Sequence, residues 1–324
     1  MNQQDNLSKL IYKISKDSLN STKTCYVSGC NNPCIKAHSV SNSRYLKKIA
    51  TKGEVFYMSA EKQGESLSLI PTGKMKATTF PGFCDLHDKY FSPLDDSDYI
   101  IGNEKQNFLF AFRAAAREYT VRQGVEKMLK DAVANRHPEL NMPEQGRQRL
   151  KDYLVHFTVG TADLEVYRTV LNINFSRGRY WKLHTEVLVL DKEYPIVASS
   201  IFKLERDNKD KVINVIHDLK AIARPFFFTI IPQNGKTYCI MSWCKRDESY
   251  YSNLHELQRL SNYEKKVVIS NLLTSYVENF AVKPEYWDYL PKTTLDNFYK
   301  QWGRSMHAPY VPFIYDKGLS LFRD

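Results

Sequence analysis

Four cysteines crowd the first 84 residues of the chain, Cys25, Cys30, Cys34 and Cys84, and a histidine follows the last of them as Cys84-x-x-His87. Thiolate and imidazole are the donors that Zn²⁺ takes in closed tetrahedral sites, because the ion is borderline soft and makes no geometric demand beyond four ligands. Cys25 and Cys30 lie in CYVSGCNNPC, a run of turn formers with little apolar surface to bury. Metal bonds would replace the core that such a segment lacks. Cys25, Cys30, Cys84 and His87 are therefore expected to hold a structural zinc that staples two loops. Cys34 competes at C-x3-C spacing from Cys30, and His38 follows Cys34 at C-x3-H spacing. Cys25 is preferred over Cys34.

Two further side chains beside the knuckle can do chemistry. His38, in the segment AHSVS, is an imidazole that titrates near neutrality and suits a general base. Asp88 directly follows the knuckle histidine and is a hard oxygen donor of the kind Mg²⁺ or Mn²⁺ requires. Each has a plainer reading: His38 as a zinc ligand or a hydrogen-bonded structural ring, and Asp88 as a helix cap or partner of Lys89.

The order of a cysteine pair, a histidine in AHSVS, an intervening hairpin and a knuckle opening a helix in FCDLHDKYF resembles the zinc-knuckle HNH endonucleases of the ββα-metal class. The resemblance covers residues 20 to 95, under a third of the chain. It implies that His38 activates water for attack on a phosphodiester and that Asp88 binds the catalytic metal. It also implies a nucleic-acid partner, with DNA expected ahead of RNA. This sequence departs from the family at two points: Ala37 stands where an acid or histidine precedes the base, and Thr78 and Thr79 stand in the region of the orienting Asn. AHSVS, KATTFPGFC, LHDKYFSPLDD and the FAFRAAAREY helix are similar to a group of bacterial proteins. The tie between bacterial HNH proteins and restriction or phage systems implies a role in anti-phage defence.

Elements must position these groups. Leu7, Leu10, Ile11 and Ile14 recur at helical spacing, predicting an amphipathic helix over residues 7 to 17. After the cysteines come a helical SRYLKKIA capped by Ser43 or Asn42, then an EVFYM strand and a KMKATTF strand. From about Asn103 the pattern is helical through residue 137, with a break expected at Gly124, and further helices are expected in RQRLKDYLVHF and ADLEVYRTVLNIN. Trp181 to Leu190, Pro195 to Phe202, Pro225 to Pro232 and Thr237 to Trp243 read as strands, the last two joined by an Asn-Gly turn. Helices are expected again in SYYSNLHELQRL, NYEKKVVISNLLTSYVENFAV and TLDNFYKQWGRSM. Alternation places Cys239, Met241 and Trp243 on one strand face, where they belong to the core.

The whole is expected to be α+β: a small N-terminal treble-clef-like ββα zinc domain over 1–100, a helical connector over 101–160, and an antiparallel sheet with helices over 161–324. Among 324 residues there are 21 Tyr and 17 Phe, which excludes a disordered chain. With 46 Lys+Arg against 36 Asp+Glu the net charge is +10, which favours a polyanionic partner. Arg113 and Arg117 on the long helix, and Arg177 and Arg179 in SRGRYWKLH, are the candidate nucleic-acid contacts. A solvated helix with i,i+4 ion pairs would account equally for the first two. A protein partner or a homo-oligomer is also compatible with these surfaces. No apolar run is long enough to span a membrane and the start is polar, so a cytoplasmic protein is expected. No phosphate-binding Gly loop, G-x-S-x-G or H-E-x-x-H is present, leaving nucleotide hydrolysis and protease chemistry without support. The rival to a nuclease is a zinc-containing binding module that has lost its hydrolytic site, or a ligand sensor acting through the sheet.

Overall fold

The computed structural model describes residues 13–21, 24–58, 68–215, 218, 221, 223–306, 308 and 310–323. The first half of the helix expected over residues 7 to 17 lies outside them, and residues 13–21 are helical. The fold is α+β, with a two-stranded and a seven-stranded antiparallel sheet. In the small sheet β1 (Cys34–His38) pairs with β4 (Thr79–Cys84), and the chain passes from β4 directly into the short helix α1 (Asp85–Asp88). This is the expected ββα unit.

The large sheet runs β3 (Leu69–Gly73), β2 (Glu54–Met58), β9 (Phe280–Val282), β6 (Ile196–Phe202), β7 (Phe226–Gln233), β8 (Lys236–Cys244), β5 (Leu183–Leu190). The sequence division places the β2–β3 hairpin with the zinc unit. The ladder instead joins it to the C-terminal strands, with Phe56 opposite Val282 and Tyr57 opposite Ala281. FAV was expected to end a helix; it forms β9 because the gap between β2 and β6 supplies backbone partners on both sides, and tertiary pairing overrides local propensity. KMKATTF is also not one strand. Lys74–Thr78 form turns, with Thr78 at φ 61, because the chain must leave the large sheet at Gly73 and re-enter the small one at Thr79.

The β7–β8 connection is the expected Asn-Gly hairpin, with Asn234 and Gly235 both at positive φ between Gln233 and Lys236. Alternation then sorts the sheet into two faces. Cys239, Met241 and Trp243 face one core with Phe226, Phe228 and Ile230, while Ile240 and Cys244 face the other with Phe227 and Ile231. Helices α4 (Asn262–Tyr276) and α5 (Lys292–Ser305) cover the first face through Ile269, Leu272, Leu273 and Phe298. Helix α2 (Glu104–Val133) and the ββα unit cover the second. Fully buried Phe80, Phe83, Phe91, Phe108 and Phe112 tie the small unit to α2, each stabilising by roughly 1.5–3 kcal/mol.

Helix α2 is unbroken at Gly124. A Cβ there would lie 2.9 Å from Leu19 Cα, so the glycine admits the first helix instead of ending its own. The two helical stretches expected next are one helix, α3 (Glu144–Ser176), which runs past the connector boundary drawn at residue 160. SRYLKKIA has Ser41 as its N-cap, without a side-chain cap bond, in place of Ser43 or Asn42. SYYSNLHELQRL is a single helical turn followed by 3₁₀ turns over Ser252–Arg259. Among the described residues no helix is long and apolar enough to cross a membrane.

Candidate metal centre and hydrolytic site

The Cys25–Cys30 loop was expected to bury little, yet Tyr26 is fully buried against Phe83, Phe112 and Tyr119, and neighbouring elements hold its backbone. Tyr26 N–H donates to Gly82 O of β4, while Arg168 Nε and Asn172 Nδ2 of α3 donate to Tyr26 O. Ser28 N–H donates to Asn172 Oδ1 at 2.8 Å. Cys84 ends β4, and one turn later His87 returns its ring to the same point. Cys25 Sγ lies 3.4 Å and Cys84 Sγ 3.3 Å from His87 Nδ1, and Cys30 Sγ lies 3.7 Å from Cys84 Sγ. A tetrahedral ion bonded to sulfur at about 2.3 Å and nitrogen at about 2.0 Å separates its donors by about 3.5–3.8 Å. A disulfide would bring two sulfurs to about 2.05 Å, and all six cysteines are free.

These four donors can therefore hold a metal ion, and all four lie within 4.8 Å of one another. Cys34, the competing ligand, is outside the group. Burial pushes the Cys25 thiol up to about 12. Burial also opposes ionisation of Cys84, but hydrogen bonds from the His87 main chain and from the Cys30 and Cys25 thiols outweigh it and lower its pKa. Burial holds His87 below its usual value and favours the neutral ring that ligates metals.

His38 ends β1 opposite Thr79. Its Nε2 is buried with no hydrogen-bond partner. Burial lowers its pKa; a main-chain hydrogen bond at Lys74 opposes this, Arg113 adds to it and Asp95 offsets it. Asp88 sits at the end of α1, where burial raises its pKa, Arg113 opposes the shift, and Asp95 and Asp85 add to it. His38 and Asp88 thus feel the same pair, Arg113 and Asp95. That pair is bidentate, Nη1 to Oδ1 at 2.9 Å and Nη2 to Oδ2 at 2.6 Å, with the guanidinium 4.2 Å above the Phe91 ring. Among the described residues, neither group of three or more metal-ligating side chains contains His38 or Asp88.

The four candidate arginines divide. Arg113 is 3% exposed and committed to Asp95, and Arg117 is largely covered and paired with Glu118. Farther along α2, Arg122–Glu118, Lys130–Glu126 and Lys127–Asp131 are i,i+4 pairs, so the helix carries ion pairs where an open phosphate track was expected. Arg177 and Arg179 are exposed at the end of α3, beside an exposed Trp181 flanked by Lys182 and Lys245. This loop is anchored to the ββα unit through Phe175, whose ring meets Tyr90 at 5.2 Å.

Sequence reasoning missed a second cluster, His184, Glu186, Glu248 and His255 at the β5 edge of the sheet. Its legible signals were a His-x-Glu that alternation puts on one strand face, and a Glu and His two helical turns apart. No family model, curated protein or solved structure matches this chain.

Proposed function

We propose that this chain is a metal-dependent HNH-type nuclease whose knuckle of Cys25, Cys30, Cys84 and His87 holds a structural zinc. The observation that carries the reading is the bare, buried Nε2 of His38 at the end of a strand that pairs with the strand leading into the knuckle. A neutral imidazole with a free nitrogen can take the proton of a water, once substrate binding admits that water to the buried Nε2, as its oxygen bonds to phosphorus and the bond to the leaving oxygen breaks. Burial lowers the pKa of His38, which favours the unprotonated ring. Asp88 would hold the Mg²⁺ or Mn²⁺, which supplies charge neutralisation at the phosphorane and the leaving oxygen. Arg113 occupies Asp95, and the pair acts electrostatically on both the base and the metal ligand. Exposed Arg177, Arg179 and Trp181 would supply phosphate contact and a stacking face for nucleic acid.

Cleavage of supercoiled plasmid, linear duplex and single-stranded RNA in Mg²⁺ or Mn²⁺ tests this, with zinc-loaded His38→Ala beside the wild type. The expected result is cutting that the substitution abolishes, with a rate that rises with pH and levels off by neutrality. A folded, zinc-replete wild type that cuts none of the three, or cuts equally well without His38, overturns it. A second reading, a binding module without hydrolytic activity, draws on Ala37 and on the absence of a converged ligand trio at Asp88 among the described residues. Steeply salt-dependent binding without cleavage selects it. An anti-phage role is expected to appear as lower plaque counts on cells carrying the gene, and equal counts across a diverse phage panel remove it.

A further inference from the structure

At the open edge of the large sheet, β5 carries His184 and Glu186 on the same face, two residues apart. The 3₁₀ segment Ser252–Arg259 crosses that face and brings His255 down onto them, and Glu248 arrives from the single turn that follows β8. Glu186 Oε1 accepts from both rings, from His255 Nδ1 at 2.7 Å and from His184 Nε2 at 3.1 Å. One carboxylate oxygen thereby sets both tautomers. It leaves His255 Nε2 and His184 Nδ1 turned toward the same third group, Glu248, at 2.6 Å from Oε1 and 3.7 Å from Oε2.

The supports are themselves fixed. Trp243 is fully buried, donates its indole N–H to Glu248 Oε2 at 2.7 Å, and stacks on His184 with centroids 4.9 Å apart. Gln258 Nε2 donates to Glu186 Oε2 at 2.5 Å. The donor atoms of His184, Glu248 and His255 lie within 4.8 Å of one another, and the His255 side chain is 40% exposed, so the group is open to solvent on one side.

We infer that His184, Glu248 and His255 form a second metal site, with Glu186, Trp243 and Gln258 as positioning residues. Two imidazoles and one carboxylate select a first-row transition ion such as Mn²⁺, Fe²⁺, Co²⁺ or Zn²⁺ over Mg²⁺ or Ca²⁺, which prefer all-oxygen shells. Three protein ligands leave coordination positions for water or a small anionic ligand, unlike the closed knuckle. Histidine ligands whose far nitrogen donates to a carboxylate are the arrangement by which proteins orient such rings and raise their basicity. An entering ion takes the place of the proton shared between His255 and Glu248. The inference is independent of the nuclease reading, since no residue of one site belongs to the other.

The test loads the full chain with zinc at the knuckle and titrates it with Co²⁺, followed by visible absorption. Besides any equivalent held at Asp88, one that depends on His255 and Glu248 is expected, with weak d–d bands and no sulfur-to-cobalt charge transfer in the near ultraviolet. His255→Gln and Glu248→Gln are expected to lose that equivalent, and Glu186→Gln to weaken it by about 10–100-fold, with knuckle zinc unchanged. Melting curves without cobalt establish that each variant folds, and the wild-type melt is expected to rise with Mn²⁺ while the His255→Gln melt does not. Charge-transfer bands alone, meaning exchange at the knuckle, overturn the site. So does a folded wild type that takes no second equivalent, or one whose equivalent survives both substitutions.

Discussion

The two ligand clusters are built in opposite ways. The knuckle takes three thiols and an imidazole from turn-rich chain, and α3 and β4 hold its first loop by backbone bonds to Tyr26. The edge cluster takes side chains from a regular strand and a covering turn, seated on a buried tryptophan that would be there without it. The first segment draws its donors from loops that other elements hold, and an ion bound there would tie those loops together, whereas the second has its shape already and offers an ion a place. Stability and metal content are therefore expected to be coupled at one site and separable at the other.

The largest effect should come from Cys84→Ser. If the knuckle is a structural zinc site, losing a buried thiolate forfeits much of a binding free energy on the order of 10–16 kcal/mol, and the ββα unit should become protease-sensitive with loss of zinc. Unchanged zinc content and melting would erase the contrast between the clusters. Trp243→Phe should cost less, about 1–3 kcal/mol, from a small cavity and a lost donor to Glu248. It should lower cobalt affinity at the edge cluster while leaving knuckle zinc alone, and a fall in both would show that the sites are not separable.

Acid chemistry sharpens the comparison further. Burial opposes ionisation of Glu186, but hydrogen bonds from His184, His255 and Gln258 outweigh it and hold the carboxyl at about 2. Glu205, 5% exposed, is pushed by burial to about 7 against little more than a main-chain bond at Val311. Between its ordinary value and about 7 the folded chain binds the extra proton, so stability falls as pH rises through that window and the penalty is complete above it. Glu205→Gln should therefore stabilise the protein at pH 8 by about 3 kcal/mol and leave it unchanged near pH 4, as read by denaturant unfolding at both pH values. Equal stability at pH 8 would mean that Glu205 is better solvated than its burial implies. The smallest change, Ser261→Ala, breaks the capping box with Glu264 at the start of α4 and should cost about 1 kcal/mol. It should leave the metal content of both clusters intact, which makes it the control.

The same contrast explains what could be read from the chain. Cys84-x-x-His87 is a contact between near neighbours, so spacing announced it, and Cys25-x4-Cys30 did likewise. The strands Phe226–Gln233 and Lys236–Cys244 were visible in their β-branched and aromatic alternation, and Asn234-Gly235 marked their turn. The edge cluster was not visible, because Glu186 and His255 meet only once a 3₁₀ segment folds over a sheet edge. β9 was hidden for the same reason: Phe280–Val282 is a strand only because β2 and β6 lie on either side of it. Arg113 shows the limit of charge counting, since a cation that reads as surface is 3% exposed and spends both ends of its fork on Asp95.

The three-residue strand β9 also sets an order of events during synthesis. The β2–β3 hairpin leaves the ribosome early, yet its neighbour in the sheet arrives only after α2, α3, α4 and the other four strands of the large sheet have been made. Until then β2 presents an unpaired edge, the kind of surface that recruits other chains. The β1–β4 ladder and its knuckle flank that hairpin in sequence and can close without any later residue of the large sheet. An ion bound there at the outset would hold the ends of the waiting hairpin together through the interval in which the nascent chain is most exposed to misassembly.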